Sequence, residues 1–89
     1  TDFYCDSSSY GNNTYSCSIT EYSEKYYNGD SIAIKILTTN GNAPQLNING
    51  FGNIGIYDDN TEKPLEANKL LYSDSASLKL FPIATKPPS

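Results

Sequence analysis

Strict alternation of apolar and polar residues limits what this chain can fold into more than any other feature of its sequence. In residues 31–37, Ile32, Ile34 and Ile36 occupy every second position. Because successive side chains of a β-strand point to opposite sides, the three isoleucines would share one face. No long stretch has the 3.6-residue period of an amphipathic helix, so short strands separated by turns are expected throughout.

A second alternating region, residues 45–57, predicts a hairpin. Gly-Phe-Gly at residues 50–52 interrupts two runs whose apolar residues lie two apart. If the turn is centred on Phe51, Ile48 lies opposite Ile54 and Leu46 lies opposite Ile56. All four apolar side chains then share one face of the hairpin, which makes the pattern self-consistent.

The two cysteines, Cys5 and Cys17, lie on either side of a cluster of turn-forming residues. The simplest arrangement is a hairpin centred on Gly11, which places Cys5 opposite Cys17 and Phe3 opposite Ile19. Opposed residues of neighbouring strands are close enough for a disulfide. The alternative is a pair of buried reduced thiols, which behave as small apolar side chains.

These patterns predict an all-β fold, a small antiparallel β-sandwich or partly open barrel of about six to seven short strands. Residues 1–83 would form a single domain, closed by a strand at 78–83. Residues 84–89 contain two prolines and are expected to be an extended linker or tail. Residues 62–72 fit either a short helical turn or an irregular crossing strand.

Charge and residue types argue against several functions. The formal net charge is −4, from ten acids against six lysines with no arginine, so nucleic-acid binding is not expected. The longest apolar stretch, residues 32–37, is interrupted by Lys35, so membrane insertion is not expected either. Histidine is absent, which removes the commonest general base and the usual zinc ligand. We therefore expect a protein that is not an enzyme and that has no cofactor.

A possible calcium loop begins at Asp58, where Asn60 and Glu62 continue an alternating series of oxygen ligands. Its second half fails, because Lys63 stands where glycine is required and Lys69 where a bidentate acid is required. A solvated turn with Asx-type hydrogen bonds is favoured, and no metal site is predicted.

The chain contains eight tyrosines, too many for the core of so small a domain. Exposed tyrosines present a flat apolar ring and a hydroxyl, which suit sugar stacking and protein contacts. For any single ring, ordinary strand packing is the alternative, and Phe51 would then fold over onto the core. The candidate binding residues are Tyr10, Tyr26, Tyr27, Phe51 and Tyr57.

Four segments together resemble a module of phage and prophage tail fibre proteins. They are residues 27–35 (YNGDSIAIK), 39–44 (TNGNAP), 46–52 (LNINGFG) and 56–57 (IY). The shared pattern is a strand after a Gly-Asp turn, an Asn-rich loop, and a Leu-Asn-hydrophobic-Asn-Gly-x-Gly hairpin. It includes neither the two cysteines nor the chain after Pro64.

The resemblance implies a β-rich structural or receptor-contacting unit at the distal end of a virion, with other fibre subunits as partners in a homotrimer. A host surface glycan or protein would be the receptor. The alternative function is a carbohydrate-binding or adhesin module of a bacterial surface protein. The expected location is the tail fibre of the virion or, for the alternative, the bacterial cell surface.

Overall fold

The computed structural model describes residues 2–5, 9–22, 29–80 and 84–86. These residues form β-strands joined by turns and contain no helix, which confirms the predicted all-β class. The eight strands, one more than the expected range, are β1 (Asp2–Cys5), β2 (Ser9–Gly11), β3 (Thr14–Cys17), β4 (Ser31–Lys35), β5 (Gln45–Ile48), β6 (Ile54–Asp58), β7 (Ser75–Leu80) and β8 (Ala84–Lys86).

The strands follow one another in the order β1-β4-β7-β8-β6-β5-β3-β2. Strand β6 belongs to two sheets, because Ile54 and Gly55 lie opposite β5 whereas the three residues that follow pair with β8. We call β1, β4, β7, β8 and the end of β6 the first sheet, and β2, β3, β5 and the start of β6 the second sheet. A strand that changes sheets in this way forms a corner of a small β-sandwich.

Strand pairing is mixed, which corrects the expectation of a purely antiparallel sandwich. Three pairs are parallel, β1 with β4, β3 with β5, and β6 with β8. Parallel neighbours need longer connections than the two strands of a hairpin do, and local hairpin patterns cannot reveal these.

The core lies where the alternation predicted it. The three isoleucines of residues 32–36 are completely buried, as are Leu46, Ile48 and Ile56, whereas Ile54 is half-buried against them. Strand β7 adds Ala76, Leu78 and Leu80 to the same interior. Burial of these branched aliphatic side chains is the main stabilising contribution to the sandwich.

The first predicted hairpin is wrong in its strands and its centre. Asn12 and Asn13 form the turn, with φ of 52° and 60°, and Tyr10 lies opposite Tyr15. Two consecutive residues with positive φ make the type of two-residue loop that suits a hairpin, and asparagine tolerates this conformation. Residues 9–11 therefore pair with β3, and β1 instead pairs in parallel with β4.

The second predicted hairpin exists, but its register differs from the expected one by two residues. Leu46 lies opposite Ile54 in place of Ile56. Because Leu46 and Ile54 are the pair nearest the loop, the loop is longer than a turn centred on Phe51, and Asn49, Gly50 and Gly52 within it have positive φ. A shift of two residues keeps every side chain on its face, which is why the predicted burial holds.

The end of the chain differs from the sequence prediction. Ala84–Lys86, assigned above to a linker, forms β8 between β6 and β7. The strands on both sides have backbone N–H and C=O groups that need hydrogen-bond partners. An extended segment between them therefore pairs with both and becomes a strand. Strand β7 begins at Ser75, earlier than the predicted 78, and residues 81–83 of that predicted strand lie outside the described residues. Residues 62–72 form irregular turns with one isolated bridge between Pro64 and Tyr57, so they are neither a helical turn nor a strand.

Candidate binding surfaces

A disulfide joins the two sheets. Cys5 at the end of β1 and Cys17 at the end of β3 are bonded, with their Cα atoms 6.0 Å apart, and both are buried. The two strands do not pair with each other, so the bond crosses the interior between the sheets rather than linking neighbours in one ladder. Disulfides of this kind persist in oxidising, extracellular environments.

Of the predicted aromatic binding residues that the structure describes, Tyr10 and Phe51 are partly buried and pack against other rings. Tyr10 is half-buried with its ring centre 4.5 Å from that of Tyr15, and its hydroxyl accepts a hydrogen bond from the Gly41 amide. Phe51 folds over onto the core beside Tyr22. These two rings therefore pack against the interior. Tyr26 and Tyr27 lie outside the described residues.

Tyr57 is the remaining member of the predicted set, and it lies on the outer side of the first sheet. Its ring covers Gly55, where a Cβ atom would lie 2.9 Å from Cε1 of Tyr57. The side chain is half-buried, so part of it remains accessible to solvent.

Exposed apolar side chains gather at one end of the sandwich instead. Leu37, Leu71 and Tyr72 are 39%, 47% and 67% exposed, and the segments that carry them are neighbours, since the Ser73 amide donates to the Ile36 oxygen. We call these three residues the apolar end. Tyr4, on the outer side of β1, is the other large apolar side chain exposed within the described ranges.

The asparagine side chains of residues 46–52 form hydrogen bonds within the protein. The Asn49 side chain pairs with the backbone of Ile19 through two hydrogen bonds, accepting from its N–H at 2.7 Å and donating to its oxygen at 2.9 Å. Asn47 donates to the side chain of Asn53 and accepts from the Gly50 amide. These amides replace backbone partners where the ladder is interrupted.

Asn40 performs the same role for the irregular segment. It is buried, and its side chain makes four hydrogen bonds, which is the full capacity of a primary amide. It accepts from the amides of Lys69 and Leu70 and donates to the oxygens of Gly41 and Glu66. This single residue therefore fixes residues 66–70, which have no regular secondary structure.

Small polar residues cover the outer side of the second sheet. Ser9, Ser16 and Asn47 occupy neighbouring positions on β2, β3 and β5. A shallow concavity of about 580 Å³ lies over them; its lining residues are Ser9, Ser16, Cys17, Ser18, Asn47, Asn49 and Gly50. We call this surface the polar face.

The sequence prediction did not identify the polar face. Alternation places Ser16 and Asn47 opposite the core side chains of their strands, and this much is visible in the sequence. Their proximity depends on the parallel pairing of β3 with β5, which joins segments about thirty residues apart and has no local signal.

Tyr15 is fully buried, and its hydroxyl donates a 2.6 Å hydrogen bond to the Thr38 oxygen. Burial, and to a smaller extent the neighbouring Tyr10, raises the pKa of Tyr15 well above the usual tyrosine range. The group has a partner and no access to solvent, so it contributes to stability rather than to chemistry.

The suspected calcium loop is a hydrogen-bonded turn. The Asp58 carboxylate accepts from the Asn60 amide at 2.8 Å, and the Glu62 amide donates to the Asp58 oxygen at the same distance. No group of three His, Cys, Asp or Glu side chains placed to hold a metal is found among the described residues.

Comparison with known proteins adds no assignment, since no family model and no curated protein matches the chain. In the parts of the chain that the structure describes, no helix is long and apolar enough to cross a membrane.

Proposed function

We propose that this chain is a non-catalytic β module of a phage tail fibre that helps to attach the virion to its host. One observation supports the proposal most. In residues 46–52, which carry the resemblance to tail fibre modules, the apolar side chains enter the core and the asparagine amides fix the loop and a neighbouring segment. These residues therefore build a rigid scaffold, and contacts with a receptor or with other subunits would be made by the outer surfaces.

Contacts between subunits are the second part of the proposal. The apolar end exposes two leucines and a tyrosine on neighbouring segments, which is the kind of surface that partners cover in an assembly. We expect a homotrimer, in which this surface packs against neighbouring subunits or modules of the fibre. The disulfide between the sheets fits a module that works outside cells.

Light scattering after size-exclusion chromatography tests the assembly. A trimer that dissociates when Leu71→Ser and Tyr72→Ser are combined supports the fibre module. The matched control is Ser77→Ala, because Ser77 is an exposed residue of β7 that does not belong to the apolar end. A monomer at all concentrations contradicts the trimer.

The alternative is a carbohydrate-binding or adhesin module of a bacterial surface protein, and the polar face favours it. Its hydroxyl and amide groups can hydrogen-bond to sugars, and a single subunit carries all of them. Binding of fluorescently labelled protein to a panel of bacterial strains, measured by flow cytometry, tests the attachment role common to both functions. Absence of binding to every strain, for monomer and trimer alike, would contradict attachment.

A further inference from the structure

We propose that the polar face binds a neutral saccharide. This inference rests on the proposed attachment function and names the class of receptor that the module contacts. It also moves the binding site away from the aromatic residues that the sequence indicated and onto the outer side of the second sheet.

Unused hydroxyl groups are the first argument. Ser9, Ser16 and Ser18 line the concavity, and within the described part of the chain none of their hydroxyls hydrogen-bonds to another protein group. Each hydroxyl donates one hydrogen bond and accepts others, as does each hydroxyl of a sugar. Strands set neighbouring rows of side chains about 5 Å apart, a spacing comparable to that of hydroxyls across one sugar ring.

Preorganisation is the second argument. The Asn47 amide is held by Asn53 and by the Gly50 N–H, at 2.8 and 3.0 Å. One N–H and one oxygen lone pair of that amide remain available to hydrogen-bond a ligand, and the two protein hydrogen bonds hold them in a fixed orientation. Polar groups that are fixed before binding lose little entropy when a ligand arrives.

Charge decides which saccharides fit. The concavity is lined by serine, asparagine, cysteine and glycine, with no acidic or basic side chain among the described residues that form it. The chain also carries a net charge of −4, which repels sialylated, sulfated and uronic acid sugars at a distance. A neutral sugar is the ligand that matches both facts.

Titration of the ¹⁵N-labelled protein, followed by NMR, tests the inference. The probes are the methyl glycosides of glucose, galactose, mannose and N-acetylglucosamine, with sialyllactose as the charged comparison. We expect shifts of amide signals confined to β2, β3, β5 and residues 18 and 49–50 for at least one neutral glycoside. Because one shallow site with few hydrogen bonds gives weak binding, the expected Kd is on the order of millimolar.

Ser16→Gln places a longer side chain in the middle of the concavity and is expected to weaken binding by about tenfold, the equivalent of one or two lost hydrogen bonds. Ser77→Gln is the matched control, since it makes the same change at an exposed strand position of the first sheet. Dispersed amide signals in both variants show that they fold. The inference is overturned if no neutral glycoside shifts the polar face, if Ser16→Gln binds as the unsubstituted protein does, or if sialyllactose binds more tightly.

Competition on cells separates this inference from the attachment function. Labelled protein that binds cells and is displaced by the active glycoside supports both. Protein that binds cells without displacement by any neutral glycoside overturns the saccharide inference and leaves attachment standing. A positive titration with no cell binding overturns attachment and supports the saccharide site.

Discussion

Tyr15 shows how one buried hydroxyl links stability to pH. Burial raises the pKa of its phenol, so the folded protein holds this proton at pH values where the unfolded chain loses it. Below about pH 10 the group is neutral in both states and contributes no pH dependence. Above that value the unfolded state is favoured, and the free energy of unfolding falls as the pH rises.

Replacement of Tyr15 by Phe tests this account. Loss of the hydrogen bond to Thr38 is expected to cost about 1 kcal/mol near neutral pH. The variant is also expected to lose stability less steeply above about pH 10, by up to about 1.4 kcal/mol per pH unit. Urea unfolding at several pH values measures both effects. Parallel pH profiles for the two proteins would show that Tyr15 is not a source of the alkaline sensitivity.

Asn40 shows how one amide replaces secondary structure. Its four side-chain hydrogen bonds hold the backbone of residues 66–70 against the core. Asn40→Ala leaves two amides and two oxygens without these partners, so we expect a loss of about 2–4 kcal/mol. Urea unfolding measures the loss, and hydrogen exchange should show faster exchange of the Lys69 and Leu70 amides.

Asn60→Ala is the control for this change. Asn60 is an exposed residue of a turn whose hydrogen bond to Asp58 uses its backbone amide rather than its side chain. We expect a change within about 0.5 kcal/mol. Equal losses from the two substitutions would contradict a specific role for Asn40.

At the scale of secondary structure, the sequence predicted which face of each strand is buried better than it predicted which strands pair. The burial of the isoleucines of β4 and of Leu46, Ile48 and Ile56 follows from alternation, because the side-chain period of a strand is a local property. Strand pairing depends on the loops and on contacts between segments distant in sequence. In the second hairpin loop, for example, Asn49 has positive φ and its side chain bonds to the backbone of Ile19, thirty residues earlier.

The short strands were the hardest elements to predict. Ala84–Lys86 has three residues beside two prolines, and nothing in its composition distinguishes a strand from an extended linker. Its pairing with both β6 and β7 is a tertiary effect. For the same reason the polar face was not predictable, because it is assembled from three strands whose order only the folded chain defines.

Thr85→Pro tests the role of β8 as a strand between two others. Proline lacks the N–H and is not tolerated in a central strand, so we expect a loss of about 3 kcal/mol or more, or failure to fold. Thr85→Val keeps a β-branched side chain and loses only the hydroxyl, which donates to the Lys79 oxygen at 3.2 Å. Thermal unfolding should place the valine variant close to the unsubstituted protein. A proline variant of equal stability would show that β8 is not needed for the fold.

At the scale of the whole molecule, the described residues form a series of eight strands in which the first and last strands of the order, β1 and β2, do not pair with each other. Strand β1 forms one edge in the order, and β2 and β3 lie at the other end. The disulfide connects these two ends through the interior, so it closes the sandwich where backbone hydrogen bonds between the described strands do not. A chain of this length buries a limited core, and a covalent link therefore has a large relative effect.

Replacement of both cysteines by alanine tests this closure. The bonded residues are separated by 12 positions, and closing a loop of that size in the unfolded chain corresponds to about 3 kcal/mol. We expect at least that loss in the free energy of unfolding, since the two buried sulfur atoms also leave unfilled space. Reduction of the unsubstituted protein is the matched control, because it breaks the bond and keeps the sulfur atoms. If the reduced protein and the double variant both unfold at the same urea concentration as the oxidised protein, the backbone ladder and the core suffice to hold β1 against the second sheet.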